Sequence, residues 1–429
     1  LRLSNMRAFY SFLFYLLVPT ILCRLLWRSI KAPAYRYRWR ERLAFYSKQY
    51  VSGVIWFHAV SVGEAEALFP LIRQIQKLHP DARLLITTTT PTGSARVRAV
   101  MKETVEHVYL PYDTPGAVSR FMRCFKPSIA VIMETEIWPN LFDCCGRNGI
   151  PLYMINARLS EKSARGYQKM PSLVHPTLAK VKLIAAQTQD DADRFLAIGA
   201  EKQQVAIVGN IKFDIDIADE TIEQGRQLKR ALFKNRFVWV VASTHKDEEA
   251  IFLDIYKQIK QQIPELLLVL VPRHPERFGE VEKLCKLQQL SVVTRTSADV
   301  CHQDTDVYLA DTMGELKMLY ASADVAFVGG SMVPVGGHNV LEPAAVGVPV
   351  MFGPYMANFK EIAKGILRHN AAIQCQNKDD IVRAVDAIYR DAAYRATLIE
   401  KAKVFVCQNR GAKARLSDML DQTIAQITR

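Results

Sequence analysis

Residues 54–64 read Val54-Ile-Trp-Phe-His-Ala-Val-Ser-Val-Gly-Glu64. An apolar run of strand length, broken only by His58, gives way to Ser61-Val-Gly-Glu64, whose S-x-x-E spacing opens a helix. A strand that reads as continuously apolar rather than alternating belongs to a parallel sheet covered on both faces. The same passage from apolar run to helical pattern recurs along the chain. It predicts strands at 54–59, 84–88, 129–133, 152–155, 183–187 and 205–208, and a second series at 237–242, 266–271, 307–309, 325–328 and 348–352. Between the series, Asp214–Arg236 is polar, carries charges of both signs and offers no strand. A chain of 429 residues exceeds the roughly 250–300 that one hydrophobic core serves. The expectation is an α/β protein with two Rossmann-like domains, at 50–215 and 237–429, a linker at 216–236, and residues 1–49 outside both.

Those first residues hold most of the charge. The net charge is +13, but residues 1–50 contain ten Lys or Arg, Lys48 among them, against Glu41 alone, so +9 sits there and +4 on the remaining chain. A body so nearly neutral lacks the footprint of a nucleic-acid binder. The basic arm follows Ala8–Cys23, sixteen residues without a charge, and interleaves its cations with Trp27, Tyr35, Tyr37 and Trp39. Cations with aromatics suit an anionic membrane surface. The apolar run is shorter than the ~20 residues that span a bilayer, but Arg7 and Arg24 extend it by snorkelling. It ends in Arg24-Leu-Leu-Trp-Arg28 rather than a small-residue cleavage site, which favours an uncleaved anchor over a signal peptide. A buried amphipathic helix is the alternative. Met6 offers a natural start after Leu1–Asn5, and the positive-inside rule places the body in the cytoplasm. Eight cysteines without a C-x-x-C pair read as reduced thiols.

Neither half carries a G-x-G-x-x-G fingerprint or a Walker A loop, which disfavours hydride transfer and ATP hydrolysis. Instead Ser61–Glu64, Thr312-Met-Gly-Glu315 and Asn339-Val-Leu-Glu342 share one S/T/N-x-x-E spacing. Each glutamate then either caps its helix or serves a ligand, because strand-to-helix turns lie at the carboxyl edge where open α/β sheets bind. Glycines 336 and 337 would let backbone approach a bound group closely.

Five strings stand together: Phe57-His-Ala-Val-Ser-Val-Gly-Glu64, Met133-Glu-Thr-Glu-Ile-Trp-Pro-Asn140, Val271-Pro-Arg-His-Pro-Glu-Arg277, Met313-Gly-Glu315 and Gly336-Gly-His-Asn-Val-Leu-Glu-Pro343. In order and spacing they resemble the 3-deoxy-D-manno-octulosonic acid (Kdo) transferase family. The resemblance implies a GT-B fold with two Rossmann-like domains facing a central cleft. It implies inverting transfer of Kdo from CMP-Kdo to the tetraacylated lipid A precursor (lipid IVA), in the lipopolysaccharide synthesis of a Gram-negative bacterium at the inner membrane. It further implies Glu64 as general base, Glu134 and Lys212 as stabilisers of the transition state, and Pro272, Arg273, Met313, Gly314, Glu315, Asn339, Val340, Leu341 and Glu342 as CMP-binding residues. The expected partners are the donor, the lipid acceptor and an anionic membrane surface, with no nucleic acid.

The chemistry accommodates those roles. Inverting transfer needs one carboxylate to take the acceptor's proton, and the departing phosphate needs aimed donors, for which Arg273 and the Met313-Gly314 amides are suited. No cofactor or metal is expected. Lys212 also reads as a solvated lysine beside Asp214. Glu134 and Glu136 flank Thr135, and two such carboxylates can hold different protonation states. Among the histidines, His58, His245, His274 and His338 fall in motif loops. Arg83, Arg96, Arg98, Arg158 and Arg165 are candidates for holding acceptor phosphates. The competing functions are a UDP-sugar transferase or an N-acetylglucosamine epimerase of the same fold, and a catalytically silent, membrane-attached nucleotide-binding adaptor.

Overall fold

The computed structural model describes residues 2–46, 50, 52–234 and 236–428; Leu1 and Lys48 lie outside them. Contacts divide the chain into two units, 1–214 with 410–429, and 215–409.

In the first unit seven strands, β1 (Ile55–His58), β2 (Leu84–Thr88), β3 (Glu106–Tyr109), β4 (Ile129–Met133), β5 (Leu152–Ala157), β6 (Leu183–Ala186) and β7 (Val205–Ile207), form one sheet in the order β3-β2-β1-β4-β5-β6-β7. Every pairing is parallel. Alternation along a strand sends successive side chains to opposite faces. Thus Trp56 packs with Phe121, Phe125 and Phe142 on one side, and Ile55 and Phe57 pack with Leu68, Ile72 and Val97 on the other. The crossover helices start on local caps. Ser61, Thr90 and Thr114 accept from the third residue of their helices, and Thr90 and Thr114 are followed by proline, whose missing N–H costs nothing there.

The second unit repeats the design with β8 (Phe237–Thr244), β9 (Leu266–Pro272), β10 (Val292–Thr294), β11 (Val307–Leu309), β12 (Val325–Val328), β13 (Val350–Phe352) and β14 (Ile373–Gln374), ordered β10-β11-β9-β8-β12-β13-β14 and all parallel. Trp239 and Phe252 lie under one face, and Val238, Val240 and Tyr308 under the other.

Two segments stand differently from the boundaries drawn on the sequence. Residues 219–231, placed there in a linker, form a helix of the second unit with Leu228 buried; a Cβ at Gly225 would collide with Met318 and Ala321. Residues 410–429, placed there with the second domain, belong to the first unit. The helix Ala412–Thr428 buries Ala412, Leu416, Leu420 and Ile424 at helical spacing in the core beside β1. Asp214 accepts from the N–H groups of Gly411 (2.6 Å) and Lys413 (2.7 Å), and Asp421 bonds His79 (2.7 Å). Leu420→Ala therefore costs the first unit about 2–5 kcal/mol. Urea unfolding reads this loss, and an unchanged midpoint would contradict the packing.

The N-terminal helix, Arg2–Lys31, holds a 25-residue stretch, Met6–Ile30, long and apolar enough by length and composition to cross a membrane.

Candidate active site

Strand order reverses direction between β1 and β4 in the first sheet, and between β8 and β12 in the second. At such a point the crossovers on either side leave in opposite directions and open a crevice at the carboxyl ends of the strands. Glu64 follows β1 and Glu134 follows β4, so topology gathers residues seventy positions apart in sequence.

Glu64 lies in the first turn of the helix Val62–Leu78. Its Oε2 accepts from the N–H of Val60 (2.8 Å) and its Oε1 from the Ser61 hydroxyl (3.0 Å), while the Ser61 hydroxyl accepts the Glu64 N–H (3.4 Å). The capping reading of S-x-x-E is realised here, displaced by one residue from the usual reciprocal bond. Burial, with Glu134 adding repulsion, nevertheless raises the Glu64 carboxyl above the ordinary carboxylate range.

Glu134 sits at φ +56°, the left-handed region that non-glycine residues seldom enter. Its buried carboxylate accepts from Arg158 Nε (2.8 Å) at one oxygen and lies 3.4 Å from Lys212 Nζ at the other. Lys212 is brought there by a 3-10 turn, Ile211–Phe213. Asn156, itself left-handed at φ +50° and buried, accepts the Ile211 N–H (3.0 Å), and Asn210 accepts that of Lys212 (2.9 Å). Asp214, beside which Lys212 also reads in sequence as a solvated lysine, directs its carboxylate to the N–H groups of Gly411 and Lys413. Glu136 accepts from Trp138 Nε1 (2.9 Å), and burial followed by repulsion from Glu64 pushes its carboxyl up to about 7. Three carboxylates and two cations thus share one site. His58, by contrast, is fully buried; desolvation lowers its ring to about 4, and its Nδ1 faces Thr87, so it is a neutral core histidine.

In the second unit Pro272 ends β9, and the Arg273 N–H donates to Thr244 O (3.0 Å). The Arg273 cation helps depress the rings of His245 and His338, in which burial is the larger cause. Those rings lie nearly coplanar and meet Nε2 to Nε2 at 2.8 Å, with His274 edge-on to His245. Met313 is exposed and Gly314 takes φ +90°. Glu315 precedes the short helix Leu316–Ala321 and is held by Arg295 in a two-point ion pair (3.1 and 2.9 Å), which keeps its carboxyl below the usual range. Asn339 Oδ1 accepts the Leu341 N–H (3.1 Å); Val340 and Leu341 are fully buried, and Glu342 stands in the first turn of the helix Leu341–Val346. Gly336 and Gly337 have φ +109° and +72°, and a Cβ at either would meet Asn358 or Met356.

Glu248 escaped the sequence reading. Its buried carboxylate accepts from the N–H groups of Gly330 (2.7 Å), Ser331 (3.1 Å), Met332 (2.9 Å) and His245 (3.0 Å), tying the loop after β8 to the glycine loop after β12 across the reversal. The available signal was His245-Lys-Asp-Glu248, an acid four residues past a strand end. Among the described residues no group of three His, Cys, Asp or Glu is arranged to hold a metal ion.

A family model described as 3-deoxy-D-manno-octulosonic-acid transferase (kdotransferase) matches residues 37–215. The 3-deoxy-D-manno-octulosonic acid transferase of Haemophilus influenzae is 39% identical over 417 residues, 96% of this chain and 98% of the relative. That of Bordetella pertussis is 32% identical, covering 86% of each. Among solved structures, a putative UDP-N-acetylglucosamine 2-epimerase from Listeria monocytogenes is similar at a TM-score of 0.55 and 13% identity, over 87% of this chain and 97% of that one. The glycotransferase of kitacinnamycin is similar at 0.52 and 13%, over 87% and 99%. At such identities these structures speak for the fold alone, the GT-B class of paired Rossmann-like units.

Replacing Glu64 by glutamine removes a negative neighbour from Glu136 and makes its ionisation easier. The Glu136 titration midpoint accordingly moves down from about 7, as read by NMR of 13C-labelled carboxyl groups. A midpoint that stays in place would show the two carboxylates to be uncoupled.

Proposed function

Given that the chain belongs to the 3-deoxy-D-manno-octulosonic acid transferase family, we propose that it moves Kdo from CMP-Kdo, with inversion, to the tetraacylated lipid A precursor at the cytoplasmic face of the inner membrane. The observation that carries this reading is the convergence of Glu64, Glu134 and Lys212 at the strand-order reversal of the first sheet.

Glu64 is the general base. As the acceptor hydroxyl attacks the anomeric carbon, its proton passes to the Glu64 carboxylate. The bond from that carbon to the phosphate oxygen breaks, and CMP leaves with the bonding electrons. A base works best when its pKa approaches the working pH, and burial supplies that upward displacement. Glu134 supports the reaction by holding Lys212 and Arg158, whose fixed positive charges need no rearrangement as charge develops. Ionised Glu64 is the active form, so transfer falls as pH drops through its raised pKa.

The second unit binds CMP through Pro272, Arg273, Met313, Gly314, Glu315, Asn339, Val340, Leu341 and Glu342. Val340 and Leu341 have buried side chains and contribute through backbone. Glu315 reaches the nucleoside with its orientation set by Arg295. Glu248 shapes this region from beneath the glycine loop.

With CMP-Kdo, purified lipid A precursor and EDTA, Glu64→Gln should lower transfer by about 100- to 10,000-fold while CMP binding is retained. Transfer surviving in the variant would leave Glu64 a helix cap only. In a second test, Glu248→Ala loosens four backbone contacts and should raise the Kd for CMP, measured by calorimetry; an unchanged Kd would exclude the glycine loop from the nucleotide site.

A further inference from the structure

By composition the helix Arg2–Lys31 is a candidate to cross a bilayer. Its contacts point elsewhere. Arg7, Ser11, Phe14, Val18, Leu25 and Ser29 recur at helical spacing, and all are buried or half-buried, so one face is covered, at the front by the helices Pro139–Arg147 and Pro171–Leu178 and at the back by the turn Pro33–Arg36. The opposite face is exposed and apolar, with Phe12 60%, Leu16 59%, Leu26 65%, Trp27 68% and Ile30 69% accessible.

Both ends are fastened to the same unit. At the front, Arg7 pairs with Asp143, the Ser11 hydroxyl donates to Asn140 Oδ1 (3.0 Å), the Tyr15 hydroxyl accepts the Gly116 N–H (3.2 Å), and Phe14 meets Trp138 edge-on at 6.5 Å. The seat is itself braced: buried Asp113 accepts from the N–H groups of Asn140 (3.0 Å) and Leu141 (2.8 Å) and its carbonyl from the Asn140 amide (2.7 Å). At the back, the Ser29 hydroxyl accepts from Arg36 Nε (3.1 Å) and Arg28 lies over Tyr35 (5.0 Å). The chain re-enters the unit at once, with Arg38 on His107 O (2.7 Å) and Arg42 on Thr89 O (2.8 Å). Thirty helical residues measure about 45 Å. A spanning orientation would carry the Arg7 end about 30 Å across hydrocarbon, stripping Asp143 and Asn140 of these partners.

We propose that this helix is a monotopic anchor, lying in the plane of one leaflet with both ends on the side of the first unit and its exposed apolar face sunk among the acyl chains. The occupant of that face is an anionic leaflet. Exposed Arg24, Arg28, Arg36 and Arg40 meet its phosphates, and Tyr37 and Trp39 sit at headgroup depth. The arrangement also absorbs the second half of the string 133–140. Glu134 and Glu136 serve the site, whereas Trp138 and Asn140 seat the helix, and Trp138 touches both by donating to Glu136. A headgroup at the leaflet surface thereby lies near the carboxylate cluster. The choice of a leaflet rests on the proposed function; the fastening of both ends does not.

The test uses the full chain with an epitope and a protease site ahead of the helix, reconstituted into phosphatidylethanolamine–phosphatidylglycerol vesicles. An impermeant maleimide on exposed Cys407 selects molecules whose body lies outside. In these the added site should be cut completely without detergent. Spin labels placed singly at positions 9, 16 and 27 should report one common depth, whereas a spanning helix would separate the first and last by about 27 Å. Protection of the tag until detergent is added, a graded depth, or failure to bind the vesicles would each overturn the proposal. Kdo transfer assayed on the same vesicles reports the proposed function separately, since its absence leaves the sidedness result intact.

Discussion

Parallel strands cannot be joined by a tight turn. Each connection must travel back over the sheet, and the helix it forms there covers a face that would otherwise be wet. Both sheets obey this constraint throughout, so their faces are closed by core and only the strand ends remain for chemistry. The reversal of strand order then selects which ends. Glu64 and Glu134 are neighbours because β1 and β4 are, and Glu248 reaches the glycine loop because β8 and β12 pair.

Within the first unit, burial and charge divide the carboxylates by task. Glu134 is committed to Arg158 and Lys212. Glu64 and Glu136 are desolvated with less compensation, and each is displaced upward. A helix cap and a general base are compatible in Glu64. The bonds from Val60 and Ser61 fix the carboxylate's position and lower its proton affinity, while burial and Glu134 outweigh them in the opposite direction. The left-handed conformations of Glu134 and Asn156 place backbone strain beside the groups it positions.

The N-terminal helix shares its parts with the same site. Its docking seat, Trp138 and Asn140, belongs to the loop that carries Glu134 and Glu136, so the contacts of the helix and the carboxylate cluster share one short segment.

Much of this was legible in sequence. Central strands are buried on both faces and therefore read as unbroken apolar runs, which is why eleven of the fourteen were found, several to the residue. The three missed, Glu106–Tyr109, Val292–Thr294 and Ile373–Gln374, are all edge strands, where one flank lacks a neighbour and polar residues interrupt the run. Motif strings singled out Glu64 and Glu134, and the resemblance Lys212, but not that Lys212 faces Glu134, nor the contacts of Glu248, Asn156 and Arg158, which depend on partners remote in the chain. The last helix likewise reads as simple amphipathic packing, and only the family resemblance implies that it crosses back to the first domain, as it does. Sequence alone determined the fold class and the apolar N-terminal helix, because periodicity and local capping are properties of neighbours along the chain, and its motif strings carried the resemblance to the family. Tertiary structure alone decided which charges meet and where both ends of that helix are held, because those depend on distance through space.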